Sequence, residues 1–252
     1  MYPGGGGLAG PTKINKLEED IMLSIIIPTL NEERYLPLLL SSLASQTFQN
    51  FEIIVADANS LDKTREIASS AGCHVIKGGM PGKGRNNGAA FARGEWLLFL
   101  DADVILPPDF LEAVMKEIQE KELDVASCPI EPLNGSKVDK LLHGLVNLYF
   151  KATQTFWPHA PGFCIFINKE IHNSINGFDE EIQLAEDHDY VLRASKIARF
   201  ALLKNTRIPV SVRRLEKDGR FNIGLKYFLA EAHLIFLGPI KSNIFNYKFG
   251  NF

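Results

Sequence analysis

The stretch that most constrains this chain runs from Trp96 through Leu97, Leu98, Phe99 and Leu100 into Asp101-Ala102-Asp103-Val104. An unbroken apolar run of this length reads as a strand buried on both faces of a mainly parallel sheet. Carboxylates do not belong inside such a strand, so Asp101 and Asp103 are expected at its C-terminal end. That is the edge where open α/β sheets bind ligands. Two hard oxygen donors there suit Mg²⁺ or Mn²⁺, with water or a diphosphate completing the shell. A second reading makes them turn residues that cap a helix starting near Pro107. The stretch alone does not separate the two.

With 252 residues, 46% of them apolar, the chain can bury a large α/β core. A formal net charge of −3 argues against a dedicated nucleic-acid binder. Cys73, Cys128 and Cys164 lie far apart, offer neither a zinc spacing nor a disulfide framework, and fit a reducing compartment. Residues 1–20, with Gly4 to Gly7 and few apolar positions, read as a flexible leader and lack the layout of a secretory signal. No segment reaches the roughly 18 apolar residues of a membrane span. The expected location is cytoplasmic, with at most peripheral contact to a membrane.

In the first half, strands and helices alternate. Met22 to Thr29 is a β-branched strand stopped by Pro28, and Leu36, Leu39, Leu40, Leu43 and Ala44 recur at helical spacing. Phe51 to Asp57 is a second strand, followed by a helix from Asp62 to Ala71, and His74 to Ile76 is a third. Arg85 to Arg93 reads as a short helix. A helix to Lys121 and a strand from Val125 to Pro129 follow the opening stretch. This βαβ alternation predicts a doubly wound, Rossmann-like, mainly parallel sheet with helices on both faces, in a single domain. The second half is less regular: a long helix from Val138 to Phe156, a strand near Gly162 to Asn168, and a helix from Glu186 to Ile197. Short strands, a basic loop from Arg213 to Arg220 and a final helix from Ile223 to Leu237 complete it.

Three strand ends deliver polar groups to one edge: Pro28, Thr29, Asn31 and Glu32, then Asp57 and Ser60, then Asp101 and Asp103. Together they favour a polar ligand such as a base with its ribose. Lys83-Gly84-Arg85-Asn86-Asn87-Gly88 puts two cations at a helix N-terminus, which suits a phosphate. Its glycines fit neither a dinucleotide fingerprint nor a Walker A loop.

These residues, in this order, resemble the family 2 inverting glycosyltransferases of the GT-A fold. The resemblance rests on Ile25 to Glu33, the strand ending at Asp57, Gly84 to Ala90 and Phe99 to Asp103, all in the first half. Gly162-Phe163-Cys164, Gly177-Phe178-Asp179-Glu180 and Glu186-Asp187 continue it, so that it covers about residues 22 to 200. Ser211-Val212-Arg213-Arg214 is also similar to members of this family, and it is not the Q-x-x-R-W signature of processive synthases. The resemblance implies transfer of a sugar from a nucleotide-diphosphate donor, UDP by family expectation, to an acceptor hydroxyl. Asp57 would contact the base, with Pro28, Thr29, Asn31 and Glu32 shaping the base and ribose pocket. Asp101 would face the ribose or a metal-bound water, and Asp103 would be the direct ligand of Mn²⁺ or Mg²⁺. Lys83, Arg85, Arg213 and Arg214 would serve the diphosphate. Asp187 would be the general base, supported by Glu186. His188 and His233 are weaker candidates for the metal shell.

On this expectation residues 21–130 form the nucleotide-sugar half and 131–252 the acceptor half, the acceptor being a glycan, a lipid or a small molecule. Cell-envelope or glycolipid synthesis is the implied setting. A sugar-phosphate nucleotidyltransferase is the alternative enzyme, although Pro28 to Glu32 stands where that class carries a Gly-rich loop. A non-catalytic nucleotide-sugar binding module is the other alternative. The final helix carries Leu225, Phe228, Leu229, Ala232, Ile235 and Phe236 on one stripe, with Lys226, Lys241 and Lys248 nearby and Tyr247, Phe249 and Phe252 beyond. Packing on the chain's own core is one reading of that stripe. Contact with a membrane surface is the other.

Overall fold

The computed structural model describes residues 21–242, 244 and 245. The leader and Tyr247, Lys248, Phe249 and Phe252 lie outside the described residues. A seven-stranded sheet takes up the apolar runs: β1 (Leu23–Thr29), β2 (Phe51–Asp57), β3 (His74–Lys77), β4 (Trp96–Leu100), β5 (Val125–Ser127), β7 (Cys164–Asn168) and β8 (Phe200–Leu202), in the order β3-β2-β1-β4-β7-β5-β8. A second, two-stranded parallel sheet joins β6 (Ile130–Leu133) to β9 (Ile208–Ser211). The helices are α1 (Leu36–Ala44), α2 (Thr64–Ser70), α3 (Pro81–Phe91), α4 (Phe110–Glu120), α5 (Lys137–Thr153), α6 (Lys169–Ser174), α7 (Glu186–Ala194), α8 (Arg213–Asp218) and α9 (Arg220–Leu237).

The sheet is buried on both faces, as the unbroken apolar strands require. Ile25 and Ile27 of β1 and Leu98 and Leu100 of β4 pack with Leu36, Leu39 and Leu43 of α1 and Phe110, Val114 and Ile118 of α4. Ile26 and Phe99, pointing the other way, pack with Ala89 of α3 and Tyr190 and Val191 of α7. Close approach of α3 depends on Gly88, where a Cβ would lie 2.3 Å from Ile26 Cγ2.

Strand order reverses about β1. From it the chain winds outward through β2 and β3, then returns to place β4 on the other side. Carboxyl-end loops diverge at such a reversal and leave a crevice. β7 departs from the parallel pattern, pairing antiparallel with β4 so that Leu100 faces Cys164. The start of β7 therefore lies beside the end of β4, and Gly162 arrives next to Asp101.

Three local expectations are corrected. The Arg85 helix begins a turn earlier, at Pro81, whose fixed φ and missing N–H suit a first helical turn. Lys83 thus lies within α3 rather than ahead of it, and Arg85 a turn inside the helix rather than at its start. Arg213 to Asp218, expected as a basic loop, is the helix α8. β6 was not foreseen, because Ile130-Glu131-Pro132-Leu133 lacks an apolar run. In addition, the final helix does not bury its stripe: Leu225, Phe228, Leu229, Ile235 and Phe236 are exposed, while Ile223, Ala230 and Leu234 face inward.

Candidate active site

The ends of β1 and β2 meet through side chains. Thr29 Oγ1 donates to Asp57 Oδ2 at 3.1 Å, and Ser60 donates to the same carboxylate from N (2.9 Å) and from Oγ (2.5 Å). Asp57 is buried and Arg65 lies 3.8 Å away. Asn31 braces the loops: its N–H donates to Ser60 Oγ, and its Oδ1 accepts from Leu61 N at 2.9 Å. Its φ of 58° is a left-handed conformation that asparagine tolerates.

Beyond β4, two arginines organise the acids. Arg85 is 3% exposed. Its Nη1 donates to Glu186 Oε1 at 2.6 Å, and its Nη2 donates to Asp101 Oδ1 at 3.1 Å and to the Gly162 carbonyl at 3.2 Å. The Phe178 ring lies 5.4 Å from its Cζ. Burial alone would weaken the guanidinium's hold on its proton, but Asp101, Glu186 and Asp187 outweigh it and raise its pKa. Arg85 Nε is buried and makes no hydrogen bond among the described residues.

Arg213 plays the matching part for Glu32 and Asp103. Its Nη groups fork onto both oxygens of Glu32 at 2.9 and 3.1 Å, and its Nε donates to Asp103 Oδ2 at 3.1 Å. Its Cζ sits 4.2 Å from the Tyr35 ring centroid. Burial pushes Asp103 up to about 6; Arg213 opposes the rise, and Asp101 and Glu32 add to it. Glu32 is raised for the same first reason, with Arg213 opposing. Three carboxylates therefore crowd one crevice at the cost of mutual repulsion, which a cation relieves. Carboxylate oxygens are the donors that Mg²⁺ or Mn²⁺ prefers, although as they stand the oxygens of the three acids do not all lie within 4.8 Å of one another.

Asp187 comes from α7, whose start is set by Ala185 in a left-handed conformation (φ 61°). For a residue with a Cβ that conformation costs of order 1–2 kcal/mol. Asp187 Oδ2 accepts from Gly162 N at 2.7 Å and Oδ1 from His188 N at 2.9 Å. Burial raises its pKa, with Arg85 partly offsetting. Glu186 is raised likewise, by burial against Arg85. Arg85 thus links Asp101, Glu186 and the loop that holds Asp187, although these groups are far apart in sequence.

Other candidates fall elsewhere. Lys83 Nζ turns to Glu180 at 3.9 Å. His233 stacks edge-on to Phe245. His188 joins His159 and Glu231, whose potential ligand atoms lie within 4.8 Å of one another. In that group Glu231 Oε1 already accepts from Tyr149 OH (2.7 Å), Trp157 Nε1 (2.8 Å) and His159 Nε2 (3.1 Å). The trio ties α9 to the start of α7, and His188 is held neutral, near 3, by burial and by His159. Glu231 was missed in the sequence because a lone acid on an amphipathic helix carries no signal. In sequence Gly162 carries only the signal of its Gly-Phe-Cys segment. Its role in holding Asp187 depends on β7 running antiparallel.

A doubly wound sheet with one antiparallel insertion, strand-end acids at its reversal point and the Glu186-Asp187 pair joined to them through Arg85 defines a glycosyltransferase of the GT-A architecture. The comparisons agree. Residues 24–176 match the model of glycosyl transferase family 2, and the chain belongs to that family. An uncharacterized glycosyltransferase of Haemophilus influenzae is 28% identical over 263 aligned positions, covering 85% of each chain. The poly(ribitol-phosphate) beta-N-acetylglucosaminyltransferase TarS of Staphylococcus aureus is 30% identical over 195 positions, covering 73% of this chain but only 29% of TarS. A crystal structure of S. aureus TarS superposes with a TM-score of 0.64 at 25% identity, covering 84% of this chain and 66% of that one. The mannosyltransferase PcManGT of Pyrobaculum calidifontis, in complex with GDP-Man and Mn²⁺, shares the fold with a TM-score of 0.67 at 19% identity, covering 84% and 64%.

Proposed function

We propose that this enzyme is a metal-dependent inverting glycosyltransferase that moves a sugar from a nucleotide-diphosphate donor, a UDP-sugar first, to an acceptor hydroxyl. The observation that carries the reading is Asp187. It is a half-buried carboxylate, held by two backbone N–H groups and raised in basicity, beside the Gly162 loop that Arg85 ties to Asp101. As general base, Asp187 takes the proton of the acceptor hydroxyl. The acceptor oxygen attacks the anomeric carbon opposite the leaving group, the bond from that carbon to the diphosphate oxygen breaks, and configuration inverts. Glu186 supports this by fixing Arg85, which orients Asp101 and the Gly162 loop.

On the donor side, Asp57 takes the base, with Pro28, Thr29, Asn31 and Glu32 around base and ribose. Asp103, with Asp101 beside it, is the place for Mn²⁺ or Mg²⁺, which when bound acts as a Lewis acid toward the leaving diphosphate. Arg213, now neutralising Glu32 and Asp103, exchanges Asp103 for the diphosphate as the donor enters, with Arg214 next to it. Support for the donor class comes from relatives: TarS has been crystallised with UDP and with UDP-GlcNAc, and PcManGT with GDP-Man and Mn²⁺. On this reading residues 21–130 serve the donor and residues 131 onward the acceptor. Named relatives act on poly(ribitol phosphate) or in PGL/p-HBAD biosynthesis, which favours a cell-envelope glycan or glycolipid acceptor met in the cytoplasm.

Thermal shift with UDP, GDP, CDP and dTDP, each with and without Mn²⁺, tests the site. UDP with Mn²⁺ is expected to stabilise most, and no stabilisation by any diphosphate with metal refutes it. Asp187→Asn is expected to abolish transfer and keep the nucleotide shift. If nucleotide binding is lost in that variant, the base assignment fails.

A further inference from the structure

Helices α5 and α9 are joined at two places. Arg220 donates to Asp139 from Nε (2.7 Å) and Nη2 (2.9 Å), and Tyr149 OH donates to Glu231 Oε1 at 2.7 Å. The ties lie ten residues apart on α5 and eleven apart on α9, so the helices run side by side in the same direction over about 15 Å. At about 100° per residue, the exposed Val138, Leu141, Leu145 and Leu148 fill an arc of about 80° on α5. Exposed Phe221, Leu225, Phe228, Leu229, Ile235 and Phe236 fill about 120° on α9. On α5 the tie side lies clockwise of its apolar arc, viewed from the N-terminus. On α9 it lies counter-clockwise of its own. Two parallel helices joined in that sense turn both arcs the same way, their outward directions about 30° apart. The exposures are large: 64% at Leu141, 69% at Phe228 and 81% at Phe236. Contiguous apolar surface of this kind marks an interaction site rather than ordinary surface.

Charge selects the partner. The acids of this helix pair, Asp139 and Glu231, are both held by the ties just described, and Asp139 is fully buried. Lys137, Lys140 and Lys151 of α5 are exposed and Lys226 of α9 is half-buried. Within these two helices a chain of net charge −3 thus gathers four lysines and no open acid, the exposed Glu216 and Asp218 of α8 lying at the Arg220 end. A second copy of the same face would set lysine against lysine. An anionic bilayer surface complements both the apolar arcs and the lysines. Among the described residues no helix is long and apolar enough to cross a membrane, so the pair would lie on the surface.

We propose that α5 and α9 together form a membrane-docking face for anionic lipid headgroups. The face adjoins the candidate site. Glu231 reaches His188, the neighbour of Asp187, at 3.9 Å, and the Tyr227 phenol lies in the field of Asp187, Asp101 and Asp103. Docking would therefore present the acceptor side of the crevice to a lipid-linked hydroxyl. That last step rests on the transferase reading, while the docking itself does not.

The test is co-sedimentation of the whole protein with vesicles of phosphatidylcholine alone and of phosphatidylcholine mixed with phosphatidylglycerol. Binding to the mixed vesicles is expected to be at least tenfold tighter and to weaken with salt. Leu141→Gln with Leu145→Gln, and separately Phe228→Gln with Phe236→Gln, each lower it at least tenfold while keeping the native melting transition. Lys137→Gln, Lys140→Gln and Lys226→Gln together remove the preference for anionic vesicles. Failure to bind either vesicle overturns the proposal, as does unchanged binding by the apolar variants. So does a dimer in light scattering that the apolar variants dissociate and that binds no lipid. A nucleotide thermal shift run in parallel separates the readings, since vesicle binding without any nucleotide shift refutes only the transferase reading.

Discussion

Replacing Arg85 with methionine removes one cation from the middle of three acids. Methionine fills much of the aliphatic volume, so the main loss is electrostatic. Glu186, a buried carboxylate with Asp187 beside it, loses its 2.6 Å partner, whereas Asp101 is more exposed and loses less. An unpartnered buried carboxylate costs about 3–5 kcal/mol. Protonation caps that cost. Holding a proton on a carboxyl whose ordinary pKa is about 4.3 costs about 3.7 kcal/mol at pH 7 and about 1 kcal/mol at pH 5, at 1.36 kcal/mol per unit. The two figures agree at neutral pH and set the pH dependence. In the variant the folded pKa of Glu186 lies above its unfolded value, so the folded state binds more protons between the two. Because burial already raises Glu186 in the wild type, stability relative to wild type is greatest below the wild-type folded pKa and falls as pH rises toward the variant's higher one. Urea unfolding of Arg85→Met and wild type at pH 5, 6 and 7.5 is expected to show a gap that is smallest at pH 5 and grows toward pH 7.5, to at most about 3–4 kcal/mol. Adding Glu186→Gln should recover more than half of the loss at pH 7.5, because a neutral pair replaces a lone charge. A gap that stays flat with pH, or no recovery in the double variant, would refute the buried-pair account.

Two further outcomes follow from the same packing. Burial and neighbouring acids hold Asp103 near 6, above the ordinary 3.9, so its contribution to metal-free stability is full below about pH 4 and is lost as pH rises to about 6. Asp103→Asn should therefore match wild type near pH 4 and melt higher at pH 8; an equal offset at both pH values would contradict this. Gly88→Ala drives a Cβ into Ile26 and should cost about 1–3 kcal/mol in chemical denaturation, with a loss under 0.5 kcal/mol showing that α3 can move away.

Local pattern carried most of the first half. Apolar runs such as Trp96 to Leu100 and the helical spacing of Leu36, Leu39 and Leu43 are short-range signals, and each became the expected element within a residue or two. The strand-end positions of Asp57, Asp101 and Asp103 follow from the same logic, since a carboxylate ends a buried strand wherever that strand lies. The resemblance to family 2 glycosyltransferases was legible because its motifs sit at those strand ends, and the family match agrees.

Tertiary structure decided what depends on how distant segments meet. The antiparallel insertion of β7 brings Gly162 beside Asp101, and nothing in Cys164 to Asn168 encodes direction. Arg85 reads as a phosphate-binding residue at a helix N-terminus, yet its guanidinium is enclosed by residues sixteen and 101 positions away. The pairing of Arg213 with Glu32 spans 181 positions. The stripe on α9 shows the same limit from the other side. Helical periodicity shows that apolar residues share a face, and only the packing of α5 and α9 through Asp139–Arg220 and Tyr149–Glu231 shows that this face stays open. Periodicity is a property of one segment, whereas burial and charge pairing belong to the surfaces that segments make together.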